Sequence, residues 1–197
     1  MMLMPCFEIP NQANEEGRII GLILVGYGEL ETTLLACLVG AEYQLDTPVR
    51  SLFKDTNAER RVKEAKRLLL PDYAKAGLEA DLKEAISDLN WCRKTRNQYA
   101  HCQWGWTQLD GLFFVNLEQL ATQPALITNL MANPLYLDLP LLQAQLEFCA
   151  YVRQCFMYLS EAYKSWDRAQ SGAPRSTPIV SKPSKRTRPQ RHNLRPR

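Results

Sequence analysis

The segment Arg96-Asn97-Gln98-Tyr99-Ala100-His101 brings three chemically useful side chains to one place. Asn97 and His101 are four apart and share a helix face, and Arg96 flanks that face. A guanidinium is planar and permanently charged, and it binds phosphate in a bidentate manner. An imidazole takes up and returns a proton near neutral pH. Together with an amide they suit phosphodiester chemistry on RNA, whose own 2′-hydroxyl supplies the nucleophile.

Position depends on the helices that carry these groups. Residues 72–102 give the longest helical pattern, with Leu78, Leu82, Ala85, Leu89 and Cys92 on one stripe and Gly77 as its single interruption. Arg96 follows Leu78 by five full turns and so continues that stripe. Residues 18–42 predict a second long helix, in which Glu31 falls within about 20° of Ile20 and Leu38 on the apolar side while Glu29 faces away. A charge on an apolar stripe is costly unless it is paired. Either Glu31 and Arg96 approach one another or line a common cleft, or Arg96 snorkels at its helix end and Glu31 makes a structural ion pair.

The remaining pattern is also mainly helical. Asp46-Thr47-Pro48 opens a short helix over 48–54, with Thr47 as its cap, and Asn57 caps another that runs to about Leu70, where Pro71 stops it. Residues 103–107 and 111–117 are aromatic and β-branched, and Asp110-Gly111 between them signals a β-hairpin. A short helix is expected near 118–121 or 125–131, and a long one over 140–169. The fold class expected is all-α: a helical bundle with a short β-hairpin insertion.

Charge divides sharply along the chain. Residues 170–197 hold eight Lys or Arg, five prolines and no acid, leaving 16 basic against 21 acidic residues in 1–169. A segment of that composition buries too little to offset its ordering entropy, so a disordered basic tail is expected from residue 170. Such a tail either raises RNA affinity through counterion release or remains a solvated extension. His192, within it, is expected to have no structured neighbours and no part in the chemistry.

Cys37, Cys92, Cys149 and Cys155 lie within helical patterns and read as small buried hydrophobes. There is no Cys-x-x-Cys and only two histidines, so no zinc-ligand spacing can be assembled; no metal and no cofactor are expected. The N-terminus lacks the basic start and apolar core of a signal peptide, and the run from Ile19 to Val25 is far shorter than a membrane span. A cytoplasmic protein without membrane contact is the expectation.

The Arg-Asn-x-x-Ala-His run resembles the Arg-x4–6-His motif of HEPN domains, and Gly-Tyr-Gly-Glu-Leu-Glu at residues 26–31 is similar to the first helix of bacterial members. The resemblance covers roughly residues 18–165. It implies a HEPN-like helical domain over 17–169, between an N-terminal extension (1–16) and the tail (170–197). It further implies a metal-independent endoribonuclease of a defence, stress or toxin–antitoxin system, acting as a homodimer and controlled by an antitoxin or another regulatory protein. His101 would then be general acid or base, Arg96 would hold the scissile phosphate, Asn97 would orient the ring or the phosphate, and Glu31 would position Arg96. Members governed by a partner nucleotidyltransferase carry Tyr two residues after the His, where this chain has Gln103. The alternative is a catalytically silent HEPN-like module that assembles with a partner protein or a nucleotide.

Trp104 and Trp106 follow the motif closely and either stack on RNA bases or pack the hairpin against the bundle. The charges of residues 59–67 alternate in sign and read as a solvated helix face.

Overall fold

The computed structural model describes residues 13–42, 46–107, 111–116, 135–172 and 178–192. The described chain is mostly helical: α1 (Asn14–Glu42), α2 (Asp46–Phe53), α3 (Ala58–Lys75), α4 (Glu79–Ala100) and α5 (Leu139–Gln170). A small antiparallel sheet, β1 (Cys102–Thr107), β2 (Gly111–Asn116) and β3 (Leu135–Leu137), lies in the order β1-β2-β3. The short helix expected near 118–121 or 125–131 falls outside the described residues, as does the Asp110 half of the hairpin turn.

The chain forms two compact units. One comprises residues 1–25, 94–148 and 188–197, and the other residues 26–93 and 149–187. In the first, the sheet rests on Ile19, Ile20 and Ile23 of α1, Tyr99 of α4 and Leu142 of α5, which meet Leu112, Phe114 and Leu137 from the strands. Register pairs Trp104 with Phe114 and Gly105 with Phe113. The absence of a side chain at Gly105 is required there, because a Cβ would stand 2.3 Å from the Phe113 ring. β3, which pairs Tyr136 with Phe113, was not foreseen as a strand; three residues are too few for alternation to be recognised.

The second unit is built on α3, whose start and end follow local rules. Asn57 accepts from the backbone N–H groups of Glu59 (2.9 Å) and Arg60 (3.2 Å), as an N-cap should. The helix does not stop at Pro71 but continues to Lys75. An internal proline loses one backbone hydrogen bond, and burial of Leu69 and Tyr73 on either side of it holds the turn helical. The break comes instead at Gly77. There a φ of +73° lets Gly77 N–H reach the Ala74 carbonyl (3.0 Å) and Leu78 N–H reach that of Tyr73 (2.8 Å), a Schellman termination. The single pattern expected over 72–102 is therefore the last turn of α3, this glycine and α4.

Charged residues in this unit pair across elements. Arg61 grips Glu31 with Nη2 (2.6 Å) and Nε (3.0 Å), and its Nη1 donates to the carbonyls of Asp55 (3.1 Å) and Thr56 (3.2 Å). Arg61 thus leaves the solvated face on which its neighbours lie, and its guanidinium also covers the Phe53 ring at 5.7 Å.

α1 is long and apolar enough to cross a membrane by length and composition, with a mean hydropathy of 1.6 over its most apolar 18 residues. The apolar stretch of this helix is therefore longer than the run from Ile19 to Val25. Ile19, Ile23, Leu30, Leu34 and Leu38 of this helix are buried within the protein, and its Glu29 and Glu31 pair with Arg153 and Arg61.

Candidate functional site

The C-terminal turns of α4 present Lys94, Asn97, Gln98 and His101, spaced as i, i+3, i+4 and i+7, on one helix face. His101 stays in helical register because its N–H bonds the Asn97 carbonyl at 3.1 Å. These four residues form one wall of an open groove of about 400 Å³. Phe114 and Asn116 of β2, Leu135 of β3, and Arg191 and His192 of the C-terminal segment line it as well. Among the described residues, no acid lines the groove.

His101 is exposed and Asn97 half-buried, so both are open to a ligand. Arg96 does not line the groove. At 100° per residue it points roughly opposite to the stripe of Lys94, Asn97, Gln98 and His101, which corrects the expectation that it flanks the face of Asn97 and His101. Its guanidinium reaches back instead, donating from Nη1 to Asn97 Oδ1 at 3.1 Å, while its Nε is buried with no hydrogen-bond partner among the described residues. The carboxylate of Glu31 is taken by Arg61, which is the structural ion pair weighed above and not the support for Arg96 that the family resemblance implies.

Trp104 and Trp106 are half-buried against the apolar core beneath the sheet, and neither lines the groove. The Trp104 ring lies 5.5 Å from that of Tyr99 and 5.3 Å from that of Phe114, which is packing geometry.

Sequence reasoning missed the tail. Residues 178–192 have neither helix nor strand, yet they are held at several points, so disorder beginning at residue 170 does not describe them. Lys182 pairs with Asp81 (2.7 Å) and Lys185 with Glu84 (2.6 Å). Further on, two buried glutamine amides clamp consecutive carbonyls: Gln145 Nε2 donates to Gln190 O (2.8 Å) and Gln98 Nε2 to Arg191 O (3.0 Å). Gln145 is itself fixed by accepting from the Tyr99 hydroxyl. This clamp brings Arg191 and His192 to the groove that holds His101. Gln145 was the one legible signal, since it falls three residues after Leu142 and four before Cys149 on an apolar stripe. An amide buried there demands partners.

Among the described residues, no group of three or more His, Cys, Asp or Glu stands together in a way that could hold a metal ion. No family model, curated protein or solved structure matches the chain, so the groove and its side chains carry the functional reading.

Proposed function

We propose that the protein binds single-stranded RNA in this groove and cleaves it without a metal, as an endoribonuclease of the HEPN type. The observation that carries the reading is the exposed His101 imidazole in an open groove with amides (Asn97, Gln98, Asn116), cations (Lys94, Arg191) and, among the described residues, no acid. A polyanion suits such a lining, because each phosphate meets positive charge and hydrogen-bond donors with no like charge to repel it. His101 is the proton-transfer group. Lys94 faces the phosphate, and Asn97 orients the phosphate or the ring. Arg96 acts through Asn97, whose amide oxygen it holds, and is a positioning residue in this reading. A homodimer in a defence, stress or toxin–antitoxin setting is the assembly that the family resemblance adds.

The test is incubation of the purified chain with end-labelled RNA in EDTA, beside the variants His101→Ala and Arg96→Ala. The parent is expected to release 2′,3′-cyclic phosphate and 5′-hydroxyl ends. His101→Ala is expected to lose about 10²–10⁴-fold in rate, the usual contribution of general acid–base catalysis. Arg96→Ala is expected to lose less, because Asn97 remains. Intact RNA in the parent digest, or equal cutting by His101→Ala, would overturn the assignment.

A further inference from the structure

We infer that His192 is the second imidazole of the site and Arg191 one of its phosphate ligands, so that the C-terminal segment completes the groove of His101 instead of trailing from the domain. This inference rests on the proposed RNA-directed function and deepens it.

Three observations converge. Both histidines of the chain line the same groove, although 91 positions separate them in sequence. The segment that brings His192 there is specified and not adventitious. Two buried amides from different helices, Gln98 and Gln145, bond the carbonyls of Arg191 and Gln190, and burying those amides without such acceptors would be costly. Finally, the two cations that line the groove come from different segments, Lys94 from α4 and Arg191 from the C-terminal segment, so both elements contribute charge that a bound phosphate would meet.

Two imidazoles permit a concerted division of labour. The neutral ring takes the proton from the 2′-hydroxyl as its oxygen forms a bond to phosphorus. The protonated ring gives its proton to the 5′-oxygen as the P–O5′ bond breaks and its electron pair moves to that oxygen. The products are a 2′,3′-cyclic phosphate and a 5′-hydroxyl, one proton is taken up and one released, and no co-reactant is consumed. Among the described residues that line the groove with the two rings, the charged groups are Lys94 of α4 and Arg191 of the C-terminal segment, and β2 and β3 contribute Phe114, Asn116 and Leu135. A pair that must be one neutral and one protonated gives a bell-shaped pH–rate profile.

The chain has two histidines, so its imidazole C2–H proton spectrum contains two resonances, each assigned by removing one ring. The experiment titrates the full chain with a 2′-deoxy oligonucleotide, which lacks the nucleophile, and measures RNA cleavage by the parent, His101→Ala and His192→Ala. Both resonances are expected to shift with one common midpoint, and each variant is expected to lose about 10²–10⁴-fold in rate together with one limb of the pH profile. In His192→Ala the His101 resonance should still respond, which shows that the groove survives the substitution. If only the His101 resonance moves and His192→Ala cuts like the parent, this inference is overturned while the proposed function stands. If both resonances move together but the parent cuts no RNA, the shared groove is supported as a nucleic-acid site and the cleavage reading falls. If neither moves and nothing is cut, both fall.

Discussion

Gln98 donates from Nε2 to the backbone carbonyl of Arg191 at 3.0 Å, across 93 positions of sequence. One residue along, Gln145 does the same for Gln190 at 2.8 Å while accepting from the Tyr99 hydroxyl. α4 therefore lines the groove and also, through Gln98, helps to hold the C-terminal segment that lines it.

Replacing Gln145 by Leu removes the acceptor of a buried tyrosine hydroxyl and the donor to a tail carbonyl. A buried polar group left unsatisfied costs about 1–3 kcal/mol, and urea denaturation should show a loss of that size. Trypsin should at the same time cut faster after Arg186 and Arg191, which precede Thr187 and His192, with the helices intact by circular dichroism. Unaltered cutting at both arginines would show that the segment keeps its place without the amide.

Glu31→Gln tests whether the Glu31–Arg61 pair is structural. The two side chains are 14% and 16% exposed, so losing the carboxylate leaves Arg61 charged and mostly out of solvent. Breaking a buried pair costs about 3–5 kcal/mol, and this one should fall near the lower bound because both groups retain some contact with water. RNA cleavage per folded molecule should not change. A variant of normal stability that no longer cleaves RNA would return Glu31 to the functional site.

Alkaline pH should destabilise the fold through Cys37. Burial pushes its thiol up from 9.0 to about 12, with Tyr73 and Lys164 opposing the shift. The folded state thus holds this proton more tightly than the unfolded chain, and the stabilisation is complete below pH 9 and is lost as pH rises from about 9 towards 12. The phenols of Tyr27 and Tyr73, pushed up chiefly by burial, act in the same direction above pH 10. Denaturation midpoints measured between pH 8 and 11 should fall less steeply for Cys37→Ala than for the parent. Parallel slopes would remove Cys37 from this account.

Periodicity and local chemistry made much of the architecture legible. The 3.6-residue repeat located the long helices, Asn57 announced the start of α3, and the aromatic runs around Asp110-Gly111 announced the hairpin. The same repeat put Asn97 and His101 on one face of α4. These features depend on residues within a few positions of each other, where backbone geometry leaves few alternatives.

Pairings across the chain were decided only by tertiary structure. Glu31 met Arg61 because α3 lies beside that part of α1, and a charge pattern does not name its distant partner. Arg96 stayed on the face of α4 it shares with Leu89, so its guanidinium touches the groove residues only by way of Asn97. Composition argued that residues 178–192 bury too little to order themselves, and by themselves they do. Their order comes from the acids Asp81 and Glu84 of α4, which pair with the Lys182 and Lys185 side chains, and from the amides of Gln98 and Gln145, which donate to the backbone carbonyls of Arg191 and Gln190. That docking brings His192 to the groove of His101, a juxtaposition that no local pattern in the sequence encodes.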